Sequence, residues 1–261
     1  MDIKVESGDI TQHAAKAIIV NLFEGVTSPG GATGAVDKAL GGGISQLIAE
    51  GEIKGKAAEF TMIHTLGRLP SPRVLVAGLG KQDAFKVNNI RDLTGTALRR
   101  VRATGAASAA TIVHGAGIAG LDAEACAQAI AEGAVMGSYR FRKYKFNGDD
   151  NATTDIETLH IVEKDAAKLD ALRRGVERGV ILGTAACHTR DMANEPANGL
   201  PPQALAERAQ ALAADAGLQC EVLNEGQILE LGMGSFLSVS AGSVQPPRFI
   251  IIKYRGNPGS D

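Results

Sequence analysis

The sequence predicts an α/β protein: a largely parallel sheet covered by helices, followed by a second α/β unit that is incomplete. Three observations carry that expectation. Apolar runs of four to six residues alternate with longer amphipathic ones. Hydrophobic residues make up 44% of the 261, yet aromatics are 4% and Trp is absent, so the core is aliphatic. Thirty-two glycines supply the many turns and close backbone contacts that such an alternation needs.

Strands are predicted over residues 3–6, 17–21, 60–64, 74–77, 111–114, 159–162, 219–223 and 249–254, the last of them as a parallel strand. Helices are predicted between them, over 33–40, 44–50, 90–104, 121–140, 165–190, 203–216 and 225–231. The long segment from Asp165 sets Leu169, Leu172, Val176, Val180 and Gly183 at helical spacing. It ends in the stiff corner "TRDMANEPANGLPP", where Pro196, Pro201 and Pro202 forbid its continuation. Pro201 and Pro202 suit the first turn of the next helix. Leu205, Ala209, Leu212 and Ala216 form that helix's apolar stripe, and Gly217 suits its C-terminal cap. Both helices that flank the corner are expected to bury against the second core. The polar stretch "FNGDDNATTD" marks a boundary, which divides the chain into 1–164, a connecting helix over 165–190, and 191–261.

A formal charge of -2 with interspersed signs gives no electrostatic case for nucleic acid or an anionic membrane. Cys126, Cys187 and Cys220 form no CxxC pair, which fits a reducing cytosol. The N-terminus "MDIKVESGDI" is charged at once and has no apolar signal core. No apolar run approaches the ~20 residues that span a bilayer. The expected location is the cytoplasm, with no membrane contact.

Local chemistry is sparse. "VHGAGIAG" contains G-x-G-x-x-G, but the strand with an acidic end that a dinucleotide site needs does not follow, and a glycine-rich turn suffices. The five histidines are spread over positions 13, 64, 114, 160 and 188. His64 and His114 end predicted strands and could meet at one sheet edge, although a hydrogen-bonded, non-ligand role suffices for each. Solvated or capping roles suffice for the carboxylate pairs Asp149–Asp150 and Asp191/Glu195. "GMGSFLSVSAGS" has no local base and reads as a structural turn; "YRFRKYKF" suits a partner or interdomain contact. No catalytic residue and no metal ligand is assigned.

Two stretches are more specific. "ESGDITQHAAKAIIVN" is followed by "GGATGAVDKALGGG". Together they resemble the opening of macro domains, which implies an α/β/α sandwich. In that family the Asp of the turn, here Asp9, contacts adenine and the Ile, here Ile10, lines the same pocket. The glycine-rich loop that would complete an ADP-ribose or related nucleotide site contains Gly30, Gly31 and Gly34. The pattern departs at Glu24, a carboxylate where the family has an Asn beside an anionic ligand.

The corner in "HTRDMANEPANGLPPQALAERAQAL" and the block "LGMGSFLSVSAGSVQPPRFIIIKYRG" resemble the start of the catalytic domain of the leucyl aminopeptidase (cytosol aminopeptidase) family. "GAVMGSYRFRKYK", "DKALGGGISQLI" and "VLVAGLGK" resemble its N-terminal domain, which is itself macro-like. The resemblance implies a metalloexopeptidase acting on peptides with free N-termini. Two divalent cations, zinc or manganese, would share an attacking water, and the subunits would form hexamers. The family's metal-binding Lys, Asp and Glu motifs fall beyond Asp261. This chain is therefore expected to be the silent front part of a longer enzyme, with no cofactor of its own. The rival expectation is a macro-like nucleotide-binding or regulatory module. Some family members also bind DNA, for which residues 140–145 would serve, but the net charge opposes it.

Overall fold

The structure is a computed structural model and describes residues 1–115, 120–144, 154–257 and 259. Residues 116–119 of "VHGAGIAG", the pair Asp149–Asp150, and Lys145 and Phe146 of the basic-aromatic run lie outside the described residues. The chain divides into two compact units, Met1–Thr189 and Arg190–Asp261.

The first unit is built on a six-stranded sheet. Its strands are β1 (Asp2–Ser7), β2 (Ala17–Phe23), β3 (Phe60–His64), β4 (Arg73–Gly80), β5 (Ser108–Thr111) and β6 (Thr158–Glu163). Their order is β1-β6-β5-β2-β4-β3, and among these strands only β3 runs antiparallel to its neighbour. Every residue of β2 is buried, as a central parallel strand requires. Ile18, Val20 and Leu22 of β2 face a layer formed by α1 (Gly31–Ala39) and α2 (Gly43–Ala49), through Val36, Leu40 and Ile44. Ile19 and Phe23 face the opposite layer, formed by α3 (Val87–Arg102), α4 (Ala123–Ser138) and the start of α5 (Leu169–Ala193). The period of two along the strand thus feeds two separate cores.

Glycines set the spacing of the second layer. A Cβ on Gly133 or Gly137 of α4 would strike the backbone of α3 at Arg91 and Gly95. A Cβ on Gly175 or Gly179 of α5 would strike the α4 backbone at Glu124 and Gln128. The buried stripe of α5 is Leu172, Gly175, Val176, Gly179 and Gly183, and those glycines lie against α4 of the first unit. The expectation that this helix buries against the second core is corrected here: its small residues match the groove of α4, where backbones come close.

The fifth strand is also corrected. The sequence reading placed it over 111–114, whereas β5 covers Ser108–Thr111. Ala109 and Ala110 pair with Ala17 and Ile18 of β2 and with Leu159 and His160 of β6, so short side chains occupy the crowded centre of the sheet. His64 and His114 do not meet. Because β3 is antiparallel, His64 pairs with Arg73 at the start of β4, whereas His114 lies beyond the end of β5 at the opposite edge.

The second unit contains α6 (Pro202–Asp215), β7 (Gln219–Leu223), α7 (Glu225–Glu230), α8 (Gly234–Ser240) and β8 (Phe249–Lys253). Pro202 opens α6, and the turn before it is closed by Gly199 and Leu200 N–H groups donating to the Pro196 carbonyl. Glu195 is neither solvated nor a cap: its carboxylate meets Arg208 of α6 at 2.7 Å and its side chain is 2% exposed. Two expectations fail here. "GMGSFLSVSAGS" contains the helix α8 rather than a turn alone, and β8 pairs antiparallel with β7, not parallel. Two helices of six and seven residues link the strands in place of one long crossover helix, and β8 returns antiparallel beside β7.

Candidate functional site

The order of the sheet reverses between β2 and β5. The chain leaves β2 toward α1 on one face and leaves β5 toward α4 on the other. Loops that diverge in this way open a crevice at the carboxyl ends of parallel strands. A cavity of about 730 Å³ lies there. Its walls include Ile10, Leu22, Phe23, Val26, Ile112 and Val113, with Asn21, Thr33, Glu163 and Lys164 as polar members.

Three buried polar side chains form one chain beneath this cavity. Asn21 Nδ2 lies 2.8 Å from His114 Nδ1, and His114 Nε2 lies 2.9 Å from Thr111 Oγ1. The amide can only donate through Nδ2, so Nδ1 accepts and the imidazole is neutral with its proton on Nε2. Burial pushes the His114 pKa down to about 4, consistent with that assignment. Thr33 donates to the Asn21 carbonyl at 2.7 Å and ties α1 to the end of β2.

The residues singled out by sequence divide around this cavity. Ile10, Gly30 and Gly31 line it. Asp9 and Gly34 are not among its lining residues. Asp9 Oδ1 accepts from the N–H and the hydroxyl of Thr11, and Oδ2 meets Lys164 Nζ at 2.8 Å. Lys164, and then the Thr11 N–H, hold the Asp9 carboxyl down at about 2. Gly34 packs against the Pro29 carbonyl inside the first turns of α1. Glu24 is exposed just past β2.

A second cluster escaped sequence reasoning. Glu6 on β1 accepts from His160 Nδ1 at 2.8 Å and from His13 Nε2 at 3.3 Å, and the two rings lie 4.5 Å apart. Among the described residues this is the one group with three candidate metal ligands in reach of one another. Its hydrogen bonds do not suit a cation. The Ala15 N–H donates to His13 Nδ1 at 3.1 Å, so Nε2 carries the proton. A metal-bound imidazole needs the reverse, with the other nitrogen donating. The cluster is a carboxylate clamped by two imidazoles. Burial works against the charged form of Glu6, but the bonds from His160 and His13 outweigh it and lower its pKa.

These features define a two-unit α/β protein, with a ligand-sized crevice at the sheet reversal of its first unit. Comparison with known proteins then places it. Residues 19–147 match the family model "Cytosol aminopeptidase family, N-terminal domain", and residues 187–261 match "Cytosol aminopeptidase family, catalytic domain". The chain belongs to the cytosol aminopeptidase family. It is 35% identical over 256 residues to a probable cytosol aminopeptidase of Alkaliphilus metalliredigens (strain QYMF), covering 98% of this chain and 51% of that protein. A probable cytosol aminopeptidase of Pseudomonas aeruginosa (strain LESB58) is 35% identical over 228 residues, covering 87% and 46%. The chain spans about half the length of the curated relatives it matches. Among solved structures, the bottromycin maturation enzyme BotP superposes with a TM-score of 0.70 at 27% identity, covering 93% of this chain and 46% of that one. A mutant of tomato leucine aminopeptidase superposes with a TM-score of 0.83 at 22% identity, covering 100% and 52%, and shares the fold.

Proposed function

We propose that this chain serves a metal-dependent aminopeptidase that removes N-terminal amino acids from peptides. The observation that carries the reading is the tandem match: an N-terminal domain and the opening of a catalytic domain of one peptidase family, in that order along one chain. In this reading Met1–Thr189 is a noncatalytic scaffold or regulatory domain and Arg190–Asp261 begins the catalytic domain. The second unit leaves the apolar side chains of Leu229, Leu231, Val239, Val244 and Tyr254 exposed, and the rest of a larger domain would cover such side chains.

The metal belongs to the proposal. BotP has been solved in complex with Mn, which supports manganese as one candidate and leaves zinc as the other. Two cations sharing a water would supply the nucleophile and polarise the scissile carbonyl. The described residues of this chain do not fit such a pair, because the one candidate cluster is locked by the Ala15–His13 hydrogen bond. The proposal places the whole enzyme in the cytoplasm as a hexamer acting on peptides with free N-termini. No helix among the described residues is long and apolar enough to cross a membrane.

The test is hydrolysis of leucine p-nitroanilide with added Mn²⁺ or Zn²⁺. The 261-residue chain should be silent, and the product of the reading frame continued past Asp261 should be active. Activity of the 261-residue chain alone would overturn the division of labour. Inactivity of the longer product with every divalent cation would overturn the function.

A further inference from the structure

We infer that the cavity at the β2/β5 reversal binds short apolar peptides in their zwitterionic form. Asn21 lines the cavity and is 8% exposed. His114 takes the Asn21 amide N–H, so the amide cannot turn over and Oδ1 is the atom left for the cavity. No described residue donates to that oxygen. An acceptor that opens to the cavity can take a donor from a ligand.

Glu163 adds a second acceptor. It lines the cavity, and only its Oε1 is engaged, by the Asp165 N–H at 2.9 Å. Its strand β6 lies two strands from β2, so the two acceptors serve different groups: the charged one suits an ammonium and Asn21 Oδ1 a peptide N–H. The first turn of α1 has the opposite need. It starts at Gly30, lacks a side-chain cap and contains no acidic residue. Gly31, Ala32 and Thr33 of this turn line the cavity, and their amides are the turn's uncapped donors. They suit a carboxylate. The apolar lining comprises Ile10, Leu22, Phe23, Val26, Ile112 and Val113.

Size and charge narrow the class. A volume of about 730 Å³ exceeds one amino acid and falls in the range of cavities that hold larger ligands, which corresponds to roughly two or three residues. A pyrophosphate would set two negative charges near Glu163, with the Lys164 ammonium already paired to Asp9. A zwitterion adds no net charge. That such peptides are the ones the enzyme trims rests on the proposed function; the binding itself does not.

The experiment is calorimetric titration of the 261-residue chain with trileucine, alongside its N-acetylated, C-amidated form and ADP-ribose. Saturable one-to-one binding of free trileucine is expected, weakened about tenfold by blocking both termini. Glu163→Gln should weaken it by a similar factor. Gly30→Asp should weaken it too while raising the melting temperature, because an aspartate at that position caps α1 and occupies the place of the ligand carboxylate. Absence of saturable binding would overturn the inference, as would equal affinity for the blocked peptide or ADP-ribose binding that excludes trileucine. Activity of the longer protein with a silent cavity would sink this inference alone. Binding without activity would sink the proposed function alone.

Discussion

Glu6 Oε1 and His160 Nδ1 meet at 2.8 Å across the β1–β6 pair, from positions 154 residues apart. The contact joins the first and last strands of the sheet, and His13 closes it from the following turn. Glu6→Gln should destabilise the first unit by about 1 kcal/mol, at the low end for bonds to a charged group because Glu6 is partly exposed. The folded pKa of Glu6 is depressed, so its contribution is present above the ordinary carboxylate range and lost as pH falls through the lowered value. Urea unfolding from pH 7 to pH 3 checks both. Zinc should leave the melting temperature of the 261-residue chain unchanged, since the tautomer of His13 opposes coordination.

Asp9 holds the turn before β2 to the end of β6 through Lys164. Its carboxyl sits at about 2, so its contribution is complete above about pH 4 and fades toward pH 2. Solvent screening keeps the effect small. Asp9→Asn should cost about 1 kcal/mol at pH 7 and almost nothing at pH 2, which a pair of denaturation curves would show.

His114 gives the opposite kind of group the same direction of loss. Its folded pKa is about 4 against an ordinary 6.5, so the unfolded chain takes up a proton in that interval and the folded one does not. Stability is complete above pH 6.5 and falls by about 3 kcal/mol on acidification to pH 4. The ring resonances of His114 should stay in the neutral position down to about pH 5 and move with a midpoint near 4. A midpoint near 6.5 would contradict the buried Asn21–His114–Thr111 chain.

Gly179→Ala should destabilise by about 2 kcal/mol or more, since the new methyl would collide with the Gln128 carbonyl and the Ala131 side chain of α4. Gly217→Ala is an informative contrast. No neighbour lies within 4 Å, and its penalty comes from a φ of +65 alone, about 1 kcal/mol. Thermal melts of the two variants separate packing from backbone strain.

What the sequence made legible follows physical range. Central β2 and β4 were readable because strands buried on both faces are continuous apolar runs. The corner at Pro196–Pro202 was readable because proline acts locally. β5 was displaced because its pairing rests on alanines that carry little apolar signal, and β8 was given the wrong direction because strand direction depends on the whole connection. Ile10, Gly30 and Gly31 line the cavity, whereas Asp9 and Gly34 do not. The Asn21–His114 bond spans 93 positions, and the Glu6–His13–His160 clamp joins both ends of the first unit. Nothing periodic in a sequence marks such pairs. Their one faint trace is a polar residue at a buried strand end: Asn21 closing an otherwise apolar run, and His160 inside "TLHIVE".

The most direct measurement is to read the source gene past the codon for Asp261 and express whatever the frame encodes. If the frame encodes the rest of a family member, the proposed function predicts that the product hydrolyses leucine p-nitroanilide when given manganese or zinc. A longer product that stays inactive with every divalent cation would contradict it, and the chain would then have to be understood through the cavity of its first unit.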